Sequence, residues 1–189
     1  MTAKIKLNAA SGGGSVSIQA PSSSSNNRVI TLPDIADGTL LTNQSSGLGK
    51  ALQVVEGSTS TQVAISSDTY SDIGISAAIT PQTNSKVLVL VNFLYLVNAN
   101  AEEGFGIKLF RGSNVLYTSP PNPSEWYANT ASTAQFKNRA TFHYYDAAPS
   151  GDGSTSITYK TQVATYGSRT IEFVQSGARS TITLIEIGA

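Results

Sequence analysis

"KVLVLVNFLYLVN", Lys86 to Asn98, decides how this chain folds. A strand exposes successive side chains on opposite faces. Read that way, the segment is apolar on both faces apart from Asn92. It is a strand buried on both sides, or one buried on one side with its other side in a subunit contact. No apolar run in the chain reaches membrane-spanning length.

On either side of it the sequence keeps a period of two. "TQVAIS" places Val63 and Ile65 on one face, and "DIGISAAIT" places Ile73, Ile75, Ala77 and Ile79 on one face. "GFGIKLFRGSNVLYT" predicts a hairpin with Phe105, Ile107 and Leu109 on a common face and "RGSN" at the turn. "SPPNPSEW" cannot be a central strand because of its prolines. "AQFKNRATFHYYDAAP" carries a strand with aromatic residues for cross-strand pairing, and "SGDGS" is a turn. "SITYKTQVATY" sets Ile157, Tyr159 and Val163 on one face, and "RTIEFVQ" and "STITLIEIGA" are the last strands. No helical period emerges. About eight strands in about 140 residues predict an all-β, two-sheet, jelly-roll-like sandwich over residues 50–189.

Residues 1–45 read as a separate, extended N-terminal β-arm. "KIKL" and "SVSIQ" alternate as short strands around "SGGG", and "APSSSSNN" is a flexible connection. "VITLPDIADGTLLT" follows, with Val29, Ile30, Leu32, Ile35, Leu40 and Leu41 apolar but broken by Pro33 and Gly38. Asp37 and Gly38 suit a turn. Strands this short and this few are not stable alone, so the arm must lie on something else. "NQSSGLGK" marks the boundary by composition.

The 189 residues carry no net charge, and only 13% are charged. The basic residues are scattered from Lys4 to Arg179, which argues against a nucleic-acid partner. "MTAKIKLNAASGGG" does not read as a signal peptide, and no membrane partner is expected. Cysteine is absent, which removes disulfides and thiolate metal sites. Ser, Thr, Asn, Gly and Val are abundant, the balance of an extracellular or particle-bound β-protein.

Chemistry is thinly represented. His143 is the lone histidine; Asp146 is near it in sequence, but no G-x-S-x-G elbow accompanies it. It reads as a structural strand residue, and one histidine makes no zinc site. Glu102 and Glu103 could serve glycoside hydrolysis only if two carboxylates faced each other across a cleft. They read instead as residues of a solvated loop. Asp152 alone falls short of a calcium ligand set. The glycines at 12–14 and at 104 and 106 lack a phosphate-loop signature. No catalytic residue, metal or cofactor is therefore expected. Trp126 and Tyr127, with Tyr144 and Tyr145, are candidate glycan contacts, since aromatic faces bury sugar C–H groups; packing under a loop competes with that reading.

Taken in order, "KIKLNAASGGGSVSIQAP", "NNRVITLPDIADGTLLT", "GIKLFRGSNVLYT", "SITYKTQV" and "STITLIEI" give a layout that resembles proteins of marine and cyanobacterial tailed phages. These are grouped as tail-fibre-like or virion structural proteins, and some small trimeric phage proteins of similar design decorate capsids as cement. The resemblance covers nearly the whole chain. It implies a virion part and leaves open which part; a place at the virion surface is the expectation. With it, the apolar arm residues Val29, Ile30, Leu32, Pro33, Ile35, Gly38, Leu40 and Leu41 read as an assembly element. They would add strands to a neighbouring copy or lie on the surface below. The short arm, without a heptad shaft, favours a homotrimeric decoration protein seated on a major capsid protein. A short tail fibre on a tail protein, or a receptor-binding protein contacting a host surface glycan, is the alternative.

Overall fold

The computed structural model describes residues 4–8, 10–19, 22–23, 25, 50–98, 102–121, 125–129, 135–174 and 177–188. The chain divides into two units, Met1–Thr42 and Asn43–Ala189. In the first, β1 (Lys4–Asn8) and β2 (Ser15–Gln19) form an antiparallel hairpin. Ile5 lies opposite Ile18, and both are exposed, as is Leu7. Val29, Ile30, Leu32, Pro33, Ile35, Gly38, Leu40 and Leu41 lie outside the described residues.

The second unit is a β-sandwich. Its strands are β3 (Ala51–Thr59), β4 (Val63–Ile65), β5 (Ser71–Ile79), β6 (Lys86–Asn98), β7 (Glu102–Arg111) and β8 (Asn114–Thr118). They continue with β9 (Trp126–Asn129), β10 (Gln135–Asp146), β11 (Ile157–Thr165), β12 (Ile171–Phe173) and β13 (Ser180–Ile187). A single 3-10 turn, Tyr166–Ser168, is the one helical piece among the described residues.

The pairing is nested. Take β3, β5, β6, β7, β8, β10, β11 and β13 in chain order. The first then pairs with the last, the second with the seventh, the third with the sixth and the fourth with the fifth, all antiparallel. Two further ladders, β13 with β6 and β11 with β7, join these ribbons into two sheets, β3-β13-β6-β10 and β5-β11-β7-β8. This is the connectivity of a jelly roll, as the strand spacing predicts. Short β12 and β4 extend the first sheet and short β9 extends the second.

The core lies between the sheets. Alternation puts Val87, Val89, Val91, Phe93, Tyr95 and Val97 of β6 inside, facing Ile73, Ile75 and Ile79 of β5 and Phe105, Ile107 and Leu109 of β7. Phe105 contacts Phe173 edge-on, with ring centroids 5.3 Å apart, and Tyr95 at 4.9 Å. The opposite face of β6 has no second layer over it among the described residues. Leu90 stays 39% exposed there, and Leu88 and Leu94 are half-buried. Among the described residues, that face of β6 is therefore covered only toward Leu96, which is buried, and is open around Leu90.

Along one border the sandwich is closed. Gly57 of β3 runs so close to β5 that a Cβ on it would sit 1.8 Å from the Ser76 carbonyl oxygen. Buried carboxylates fasten the ends. Asp146 on β10 accepts hydrogen bonds from Tyr159 Oη at 2.7 Å and Arg111 Nη1 at 2.9 Å, tying the first sheet to β11 and β7. Burial, and then the bond to Asp146, push the Tyr159 hydroxyl pKa far above its ordinary value. Glu186 on β13 accepts from the Gln82 amide and from Gln53 Nε2, both at 2.6 Å.

A Gly57→Val substitution is expected to force β3 and β5 apart, because the obstructing atom is backbone and cannot rotate away. The expected loss is about 1–3 kcal/mol, typical of overpacking, read as a lower midpoint in urea unfolding. An unchanged midpoint would show that this border is looser than described.

Candidate functional site

The opposite border of the sandwich is open. β10 pairs with β6 over its full length, with no register shift, and with no other strand among the described residues. Its inward side chains, Asn138, Ala140, Phe142 and Tyr144, face the border strands β8 and β9 of the other sheet, and the core covers them incompletely. Two adjacent hollows result. One, of about 300 Å³, is walled by Tyr95, Phe105, Trp126, Asn138 and Phe142. The other, of about 270 Å³, is walled by Tyr117, Thr141, Phe142 and His143. Glu125, Thr141 and Phe142 line both, and Arg139 also lines the first. Tyr117 stacks on Phe142 with centroids 6.1 Å apart and donates its hydroxyl to Glu125. That hydrogen bond, followed by burial, raises the Tyr117 pKa.

The two candidate glycan contacts separate. Trp126 packs into the cleft against Tyr95, at 5.6 Å between centroids. Tyr127, the next residue on β9, is exposed and lies 5.9 Å from Tyr166. Successive strand residues cannot share a face, so the pair forms no single platform. Tyr144 and Tyr145 divide in the same way.

His143 and Asp146 also fall on opposite faces of β10. His143 is exposed beside Leu90, and Asp146 is engaged with Arg111 and Tyr159. Glu102 and Glu103 are not loop residues. They open β7, paired with Asn129 and Ala128 of β9. Glu103 is 4% exposed and its Oε2 has no hydrogen-bond partner, whereas Glu102 is exposed and accepts from Tyr166 Oη at 3.3 Å. The two acids thus do not converge. Burial raises the Glu103 pKa, opposed by Arg169. Asp152 is held within its turn. Oδ1 accepts from the amides of Ser154 and Thr155 and Oδ2 from the Thr155 hydroxyl, which lowers its pKa well below the ordinary carboxylate value. Among the described residues, no three His, Asp or Glu gather as metal ligands, and no helix is long and apolar enough to cross a membrane.

On the outside of the first sheet the register builds an apolar row four strands wide. Val54 of β3, Ile185 of β13, Leu88 of β6 and Tyr145 of β10 stand side by side. Val54 is 61% and Tyr145 50% exposed. Leu90 borders the row, in a parallel one formed by Glu56, Thr183, Leu90 and His143.

No family model matches the chain. No curated protein matches it. Among solved structures, a chain of infectious bursal disease virus, Gx strain, is similar at 12% identity and a TM-score of 0.34. It is matched over 93% of this chain and 51% of that one. A chain of the Gt strain gives 12% and 0.29, over 93% and 49%. The chain thus spans about half the length of either. Likeness this loose carries no function to it.

Glu103 yields a pH signature. Its native pKa lies above the unfolded one, so the native state holds the extra proton between the two values. The stabilising effect of that proton is full below the unfolded pKa and is lost as pH rises through the native one. Glu103→Gln is expected to be the more stable form at neutral pH. Its advantage over the parent should shrink as pH falls through that window. An advantage independent of pH in parallel urea titrations would show that the buried charge is not its source.

Proposed function

We propose that this chain is a structural protein of a tailed-phage virion, most simply a homotrimeric capsid decoration protein. Its first 45 residues would attach it to a major capsid protein, and the jelly roll would face outward at the virion surface. One observation carries the proposal: the uncovered row Val54, Ile185, Leu88 and Tyr145 on the outer face of the central sheet. Soluble monomers rarely leave large contiguous apolar patches in water. With neighbouring strands about 4.8 Å apart, the row spans about 15 Å, enough to seed the apolar centre of an ordinary subunit interface. The sequence resemblance to phage virion proteins supplies the setting. A protein used in this way needs no catalytic group, cofactor or nucleic-acid surface.

The second reading is a short tail fibre or a receptor-binding protein attached through a tail protein. The aromatic cleft with Trp126 is what favours it. A sugar ring could stack there against apolar side chains, with Asn138 and Glu125 as hydrogen-bonding partners. Tyr127 would contribute at a separate place. Immunogold labelling of particles separates the readings: many copies spread over the head support decoration, and a few at the tail support the fibre.

Light scattering is expected to give the mass of three chains at micromolar concentration. Leu90→Lys combined with Tyr145→Lys should reduce that mass to one chain with the circular dichroism spectrum retained, since both side chains already reach solvent. A parent protein that is monomeric at that concentration would refute the trimer.

A further inference from the structure

We propose that the exposed Tyr145 ring of one copy of this chain seats in a hollow on the outer face of the first sheet of a neighbouring copy. The inference rests on the assembly reading above and specifies the contact through which the copies meet.

Two adjacent rungs of the sheet build the seat. Register sets Thr181, Asn92 and Thr141 side by side on β13, β6 and β10, and Thr183, Leu90 and His143 side by side on the next rung. These six side chains wall a hollow of about 290 Å³, with room for one aromatic ring. Asn92 is the single polar residue between Val87 and Val97, in an outward series that is otherwise Leu88, Leu90, Leu94 and Leu96. Its Oδ1 accepts from Arg139 Nη1, and its Nδ2 has no partner among the described residues. The hydroxyls of Thr141, Thr181 and Thr183 stand around it. Leu90 thus offers apolar surface to a ring, while Asn92 and the threonines offer a donor and acceptors to a hydroxyl. A buried tyrosine requires both. Arg139 beside Asn92 adds a cation next to the seated ring. Arg139 is itself held by the Arg179 carbonyl, and Arg179 is paired with Glu56, so the charges around the seat are already fixed at its rim.

The knob stands on the same face. Tyr145 lies about 6.7 Å beyond His143 along β10 and does not line the hollow of its own chain. It is 50% exposed, and its hydroxyl has no hydrogen-bond partner among the described residues. With knob and seat on one face, each copy gives a ring and receives one, as a closed assembly of identical chains demands. The outer face of the second sheet carries charge instead. There Lys160 pairs with Asp72 at 3.2 Å, and Lys108 lies over the Tyr70 ring.

Two single substitutions in the full-length chain test the contact from its two sides. Tyr145→Ala removes the knob, and Thr141→Trp fills the seat. Both positions are exposed, and circular dichroism checks that the fold is kept. Light scattering over a dilution series is expected to show that each weakens association by about tenfold or more. Thr141→Trp is the decisive variant, because it enlarges the apolar surface of the face. A contact made by apolar area alone would tighten, whereas a blocked seat loosens. Unchanged or tighter association of either variant would overturn the proposal. A second measurement places p-benzoylphenylalanine at position 145, mixes that protein with isotope-labelled parent chains, allows subunits to exchange and irradiates. Mass spectrometry is expected to find position 145 linked to residues 141–143 or 181–183 of a labelled chain. Links only elsewhere, or only within one chain, would overturn the proposal as well. An assembled parent without that link refutes the seat alone, whereas a monomeric parent refutes the assembly reading itself.

Discussion

Everything in the jelly roll depends on β6 being hydrogen-bonded along both edges. β10 takes one edge throughout, and β13 and then β12 share the other. A buried backbone must have its amides and carbonyls paired, and a thirteen-residue strand through the middle of a domain can meet that demand only with long partners on both sides. Once β10 and β13 are committed to β6, the nesting of the other ladders follows. β11 must return to β5 and β7, β8 must fold back on β7, and β3 is left to pair with β13. The aromatic cluster of Phe93, Phe105 and Phe173 then fills the space that the two sheets enclose.

Alternation made much of this legible. "DIGISAAIT" and "STITLIEI" bury one face each, and burial of one face imposes a period of two that can be read directly. Ile73, Ile75, Ala77 and Ile79 are all buried, as the pattern predicts. The jelly-roll class was readable for the same reason. Strand order was not, since pairing across eighty or more residues leaves no local trace. β9 was hidden because it is four residues long and follows three prolines. Its presence explains the misreading of Glu102 and Glu103: a short partner strand turns what looks like a polar loop into the first rungs of β7. Of the candidate site, Trp126 was visible as an aromatic near a border, but its partners in the cleft, Tyr95, Tyr117 and Phe142, come from strands distant in sequence. The separation of Trp126 from Tyr127 could have been foreseen only by first assigning β9.

The two borders of the sandwich solve the same problem in opposite ways. At β3 and β5 the chain gives up a side chain at Gly57 so that the two sheets approach closely at Ser76. At β10 the sheets diverge. Asp146 holds one end of the strand to Arg111 and Tyr159, while toward Phe136 the inward face reaches solvent. The result is a strand tied at its Asp146 end and paired with β6 alone among the described strands.

The uncovered features also share a physical character. The outer row from Val54 to Tyr145 and the Ile5–Ile18 face of the N-terminal hairpin are apolar, the cleft beside β10 mixes aromatic rings with Glu125, Asn138 and Arg139, and none is an array of one charge. The whole chain has no net charge. Association through such surfaces cannot rely on long-range attraction to raise its on-rate. Its specificity must come from register, from shape and from the count of surfaces engaged together. Each contact alone would be weak, since a single strand or one apolar row buries little area. Joined in one closed assembly, the contacts act at high effective concentration and reinforce each other.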